Sequence, residues 1–156
     1  MKVVHTIEAL GGGVYTYFED LTHHFEKEDI RQKVPTSILY SDNRKEIDPQ
    51  KVAQLFSTIP TVKVSMEREI NPILDFKAIQ SLVRELKKIK PDVVHLHSSK
   101  AGVLGSIACC FVSPKPLVFY TPHGYAFQRT DISPISKKMY WFIEKYFQKI
   151  FGGITI

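Results

Sequence analysis

Six short runs rich in β-branched and aromatic residues alternate with stretches of helical periodicity, and this alternation constrains the fold more than any other feature. The strand-like runs are 2–9, 33–40, 61–66, 92–97, 117–123 and 153–156. Between the first two, Val14, Phe18, Leu21 and Phe25 recur at helical spacing, with Glu19, Asp20 and His23 elsewhere. Pro35 makes the start of the second run irregular or an edge. Asp48 followed by Pro49 reads as a helix cap and first turn, opening a short helix to about Phe56. Asn71 and Pro72 break the chain, and from Asp75 the residues Phe76, Ile79, Val83, Leu86 and Ile89 form a helical stripe. Lys87, Lys88 and Lys90 crowd its C-terminal end, as the helix dipole prefers, and Pro91 stops it. A helix opening on Ser98 or Ser99 carries "SSKAGVLGSIACCFV", and one from Ser133 or Ser136 runs to about Ile150. Strands that alternate with helices predict an α/β fold with a doubly wound, mostly parallel, Rossmann-like sheet.

In such sheets, ligands bind beyond the carboxyl ends of the strands, where the strand order reverses. Three segments fall at strand carboxyl ends: Gly11–Gly13, His97–Lys100 and Thr121–Tyr125. The glycine run joins a strand to a helix N-terminus, where free N–H groups and the helix dipole favour an anion. Its spacing is neither GxGxxG nor a P-loop. The plain alternative is a tight turn at positive φ. In "HLHSSKAG", His95 and His97 are two apart on a strand and share a face. A metal there would need further ligands, with His123 a candidate, whereas the plainer reading is a buried, hydrogen-bonded His95, and no metal site is assigned. His97 lies nearer the strand end, and Ser98, Ser99 and Lys100 bring hydroxyls, N–H groups and an ammonium to a helix entrance. They read as an anion or polyol site, or as an ordinary cap beside a solvated lysine. Gly102 and Gly105 suit close helix–sheet packing.

"VFYTPHGYAF" is the third segment. An apolar strand stops at Pro122, His123 and Gly124, and Tyr125 and Phe127 follow as candidate pocket wall. A neutral imidazole both donates and accepts, which suits sugar hydroxyls; a loop histidine without a role is the alternative. In the last helix, Ile135, Met139, Phe142, Tyr146 and Ile150 form one stripe. Tyr140, Trp141 and Phe147 lie outside it among Lys137, Lys138, Lys145 and Lys149. Such a helix packs on its sheet and a neighbouring domain, or meets an anionic membrane surface.

Composition decides what remains. With 156 residues, 44% of them hydrophobic, the chain is one ordinary domain with a real core. A net charge of +5 favours anionic partners without choosing among them. The patterns of nucleic-acid modules are missing, as are DxD and GxSxG. The two cysteines, Cys109 and Cys110, are adjacent in an apolar run and read as small buried residues. The first residues enter a strand directly, without signal-peptide regions, so the expected location is cytoplasmic.

"VVHTIEALGGGVYTYFEDL", "KPDVVHLHSSKAGVLG" and "VFYTPHGYAF" together resemble the N-terminal domain of glycosyltransferase family 4, closest to bacterial members that build capsule, exopolysaccharide or lipopolysaccharide. The resemblance runs through nearly the whole chain. It implies one half of a GT-B fold, in which the N-terminal domain mainly holds the acceptor and a second domain the nucleotide sugar. It also implies transfer with retention and no cofactor or essential metal. By matching position, Gly12 and Gly13 would lie near the donor diphosphate and acceptor. His123 would contact and orient the transferred sugar, with Gly124 and Tyr125 beside it. Ser98, Ser99 and Lys100 would border the acceptor side, and His97 joins them as a candidate substrate contact from its own place at the strand end.

The family's second domain and its paired-glutamate motif are missing from these 156 residues, so the expectation is a fragment inactive alone. The expected partners are a nucleotide sugar, a glycan or lipid-linked acceptor and an anionic membrane surface, with no nucleic acid. The alternative is a non-catalytic acceptor-binding or membrane-recruiting subunit of a two-chain glycosyltransferase. A dinucleotide-binding Rossmann enzyme is a third reading, and the broken glycine spacing argues against it.

Overall fold

The computed structural model describes residues 1–45, 47–151 and 153–156, without the side chains of 147–149. The strands are β1 (Val3–Ile7), β2 (Thr36–Tyr40), β3 (Thr61–Lys63), β4 (Val93–His97), β5 (Leu117–Thr121) and β6 (Ile154–Thr155). The helices are α1 (Gly13–Phe25), α2 (Glu28–Lys33), α3 (Pro49–Leu55), α4 (Pro72–Ile89), α5 (Ser99–Cys109) and α6 (Pro134–Phe151). The sheet is parallel, in the order β3-β2-β1-β4-β5-β6. The order reverses between β1 and β4, and this reversal defines the switch point.

Strand alternation divides the core in two. Val4 of β1, Leu39 of β2, Val94 and Leu96 of β4, and Val118 and Tyr120 of β5 pack with α4 and α5. Ile7 of β1 and Ile38 of β2 pack on the other face with Phe18 of α1 and with Val52 and Phe56. Gly102 and Gly105 let α5 press onto the sheet: a Cβ on Gly102 would lie 2.6 Å from Tyr120 Cε2, and one on Gly105 would collide with Leu96.

Several sequence expectations shift. Asp48 caps α3 as expected, accepting from the Gln50 N–H at 2.9 Å. β2 is an interior strand that begins just after Pro35. Helix α2 was not anticipated; it is one short polar piece with no buried residue, so hydrophobic periodicity carries no trace of it. Asn71 and Pro72 start α4 instead of breaking the chain: Asn71 Oδ1 accepts from the Leu74 N–H and Pro72 takes the first turn. The buried face of α4 is centred on Ala78, Leu82 and Leu86, with Ile79, Val83 and Ile89 at its margin and Phe76 exposed.

The expected stripe of α6 faces outward. Ile135, Met139, Phe142, Tyr146 and Ile150 are all exposed. The helix is anchored instead by Tyr140, which donates to Glu69, and by Glu144, which accepts from Tyr120. The side chains of Phe147 and Lys149 lie outside the described residues. Cys109 is buried, which pushes its thiol up to about 12, but Cys110 is exposed past the end of α5.

Candidate functional site

Three adjacent strands, β1, β4 and β5, end at a cleft of about 470 Å³. It is lined by the turn after β1, by the N-terminus of α5, by Pro122–Ala126, and by Tyr140, Ile143 and Glu144 of α6. The three segments singled out in the sequence therefore converge on one sheet edge.

After β1 the chain reaches Glu8, which is buried and receives a two-pronged contact from Arg44: Nε and Nη2 each donate at 2.8 Å. The Ser98 hydroxyl donates to the same carboxylate at 3.3 Å. This knot ties the ends of β1, β2 and β4 at the cleft, which all three residues line. Gly11 lines the cleft. Gly12 has φ +54° and precedes α1, which no side chain caps. A Cβ on Gly12 or Gly13 would meet nothing within 4 Å. The turn thus requires a glycine at 12 for its backbone, while at 13 only space outside the chain distinguishes glycine from alanine.

At the end of β4, Ser98 also has positive φ, +83°, and its hydroxyl caps α5 by accepting from the Ala101 N–H at 3.4 Å. Ser99 Oγ accepts from the Ala126 N–H at 3.3 Å, joining two of the lining segments. Lys100 lines the cleft and is not the solvated cation of the plainer reading. Its ammonium contacts the Asp75 carboxylate at 2.7 Å and donates to the Glu69 carbonyl at 2.8 Å, bracing α5 against α4. His97 is also corrected. It is fully buried and stands behind the cleft.

His123 has φ +52°, an uncommon conformation for a residue with a side chain, and Gly124 follows at φ +129°. The ring is held from behind: His97 Nδ1 lies 2.9 Å from His123 Nε2. Tyr17 of α1 packs edge-on against it, with ring centres 5.1 Å apart. His123, Gly124 and Tyr125 line the cleft, and Phe127 stacks on Tyr125 at 5.0 Å. Burial holds the His123 imidazole below its usual range, so it is neutral at pH 7.

Behind it sits a histidine cluster that sequence reasoning only half found. His5 Nδ1 lies 2.9 Å from His97 Nε2. His95 is buried and hydrogen-bonded, its Nε2 2.7 Å from Thr121 Oγ1. Burial, with the neighbouring imidazoles, lowers His5 to about 3 and His95 to about 4, and pushes His97 down further. His5, His95 and His97 offer nitrogens within 4.8 Å of one another, but the nearest nitrogens of His5 and His97 already face each other at hydrogen-bond distance. A tetrahedral zinc with ~2.0–2.1 Å bonds would have to push them apart.

Glu144 was also missed. Burial raises its carboxyl above the usual range, and hydrogen bonds from Ser99 and Tyr120 partly offset that. The signals were an acid one residue past a strand, for Glu8, and a histidine inside an apolar strand, for His5. No spacing rule points to Glu144 or Arg44, because their partners are distant in sequence. Arg129 forms the cleft rim, contacting Glu69 at 3.2 Å and Asp131 at 2.8 Å.

Comparison with known proteins gives concordant likenesses. The family profile described as Glycosyltransferase Family 4 matches residues 11–154. A UDP-Gal:alpha-D-GlcNAc-diphosphoundecaprenol alpha-1,3-galactosyltransferase of Escherichia coli is 43% identical over 74 residues, 47% of this chain and 19% of that protein. An uncharacterized 41.2 kDa protein in the cps region of Klebsiella pneumoniae is 27% identical over 152 residues, 96% of this chain and 38% of that protein. The chain thus spans well under half the length of both curated relatives. The lipopolysaccharide outer core galactosyltransferase WaaB superposes with TM-score 0.63 at 16% identity, over 90% of this chain and 37% of that one. A putative UDP-N-acetylglucosamine 2-epimerase from Listeria monocytogenes does so with TM-score 0.63 at 14% identity, over 99% of this chain and 38% of that one. At these identities the solved structures show a shared fold.

Proposed function

Because the chain belongs to glycosyltransferase family 4, we propose that it is the acceptor-side, N-terminal half of a retaining glycosyltransferase. The enzyme transfers a sugar from a nucleotide-sugar donor to a glycan or lipid-linked acceptor in cell-surface polysaccharide synthesis. The observation that carries this reading is the convergence of Gly11 in the turn after β1, the α5 entrance and His123 on one cleft at the switch point. The diphosphoundecaprenol named for the Escherichia coli relative supports a lipid-linked acceptor.

In this reading the backbone at Gly12 and Gly13 receives the donor diphosphate, because both positions are open and the α1 N-terminus is uncapped. His123 presents its remaining ring nitrogen to the transferred sugar, held there by the His97 contact. Ser98, Ser99 and Lys100 act as the scaffold of the acceptor side through their bonds to Glu8, Ala126 and Asp75. Gly124 and Tyr125 shape the pocket wall. No metal takes part, and a donor-binding half completes the cleft, so the present residues bind acceptor without turning it over.

The exposed face of α6 favours a membrane role within the same reading. Ile135, Met139, Trp141, Phe142, Tyr146 and Ile150 are exposed, and Lys137, Lys138 and Lys145 lie among them. Lys145 sits 4.5 Å over the Trp141 ring. No helix among the described residues is long and apolar enough to cross a membrane. The helix therefore lies on an anionic surface at the cytoplasmic face. A recruiting subunit of a two-chain enzyme would use the same face.

The test is transfer from UDP-galactose to a lipid-diphosphate acceptor by the complete enzyme. His123→Ala is expected to lower turnover at least about tenfold, as loss of a polar contact made in the transition state does. Full turnover in a folded variant would end the assignment.

A further inference from the structure

Register and alternation put His5 of β1 and His95 and His97 of β4 on one face of the sheet. Three of the four clustered histidines then make the same contact twice. Nδ1 of His5 faces Nε2 of His97 at 2.9 Å, and Nδ1 of His97 faces Nε2 of His123 at 2.9 Å. The ring pairs repeat as well, with centres 5.2 Å apart and planes 24° apart in both. His5 and His97 are buried, and His123 reaches the cleft.

Two ring nitrogens at this distance share one proton; with none or two, the contact repels. A neutral imidazole carries one proton. His97 uses both of its nitrogens, so it donates to one neighbour and accepts from the other. If its proton is on Nδ1, it donates to His123 Nε2. His123 must then carry its own proton on Nδ1, and His5 must donate from Nδ1. If the proton is on Nε2, all three rings carry it there. A mixed set leaves one contact with two protons or none.

We propose that His5, His97 and His123 form a single tautomer array, in which buried His5 and His97 are positioning residues that decide whether the remaining nitrogen of His123, Nδ1, donates to a ligand or accepts from it. Its meaning for catalysis rests on the reading of His123 given above. Burial keeps the array neutral near pH 7. The titratable neighbours in ring contact are Tyr17, 5.1 Å from His123 and 5.8 Å from His97, and His95, 4.0 Å from His97. His95 stands outside the array, since its Nε2 pairs with Thr121. It is an internal control: largely buried, beside the same rings, and not in the chain of contacts.

The test is nitrogen NMR of this chain with ¹⁵N-labelled histidine at neutral pH. It needs no variant to be decisive. The expected result is one and the same tautomer in His5, His97 and His123, with two nitrogen–nitrogen couplings across the contacts. His5→Phe keeps a ring against Phe18 and Phe25 and removes the first contact. It is expected to shift the tautomer ratio of His123, which His5 reaches only through His97, whereas His95→Gln leaves that ratio unchanged. Mixed tautomers, missing couplings, an unmoved His123 in folded His5→Phe, or stoichiometric zinc in the purified chain would each overturn the proposal. None of these readouts involves sugar transfer. A tautomer array with full turnover in His123→Ala would overturn only the catalytic reading, and the reverse pair of results only the array.

Discussion

Glycines 12, 13 and 105 lack a side chain for three different reasons. At Gly105 a Cβ would collide with Leu96, so Gly105→Ala overpacks the core and costs about 1–3 kcal/mol. At Gly12 the backbone requires φ +54°. At Gly13, the first residue of α1, neither reason holds: the φ is ordinary and the space is open. Gly13→Ala in a helix is therefore neutral or stabilising by up to about 1 kcal/mol. If the glycine serves a donor diphosphate, the same variant loses transfer activity in the complete enzyme. A thermal melt and a transfer assay on one variant separate the two effects. Activity retained alongside an unchanged or raised Tm would leave Gly13 without a role in binding.

At the scale of elements, α6 is the clearest conflict between local pattern and tertiary placement. Its apolar residues make a regular stripe, and periodicity alone would bury them. The helix instead turns Tyr140 and Glu144 inward, where Glu69 and Tyr120 meet them. The stripe is left outside with lysines beside it. The membrane reading predicts that this chain co-sediments with vesicles containing anionic lipid and much less with zwitterionic ones. Trp141→Glu together with Phe142→Glu should abolish that sedimentation without lowering the Tm, because both side chains are exposed. Sedimentation unaffected by the double substitution would remove α6 from the interaction. Helix α4 shows the converse. Asn71 and Pro72 look like a break, yet the same residues cap the helix, because asparagine and proline both serve a helix start as well as a turn.

For the whole molecule, the histidine cluster sets an acid limit. His5 and His95 are neutral in the folded protein down to about 3 and about 4 respectively, while in the unfolded chain each protonates near 6.5. Between these values the unfolded state binds more protons, so stability rises with pH. The contribution is complete above about pH 6.5 and is lost as pH falls toward 4 and then 3, at up to about 1.4 kcal/mol per pH unit for each ring. Thermal melts should be flat from pH 8 to 7 and fall steadily below 6.5. His95→Gln should make that fall shallower. A Tm unchanged between pH 7 and 5 would mean that these rings are not held neutral.

The alternation of strands and helices, the parallel sheet and the three strand-end segments follow from the sequence by itself, because period and turn chemistry are local properties that each segment carries with it. The site is different in kind. Ser98 and His123 were legible as strand-end residues, but the burial of His97 and the pairing of Lys100 with Asp75 were not. Glu8 lies 36 residues from Arg44, His5 lies 92 from His97, and Tyr120 lies 24 from Glu144. Which strand lies beside which decides these meetings, and the strand order has no local signature. Tertiary structure alone therefore determined which polar groups are spent on one another and which residues, like His123, line the cleft.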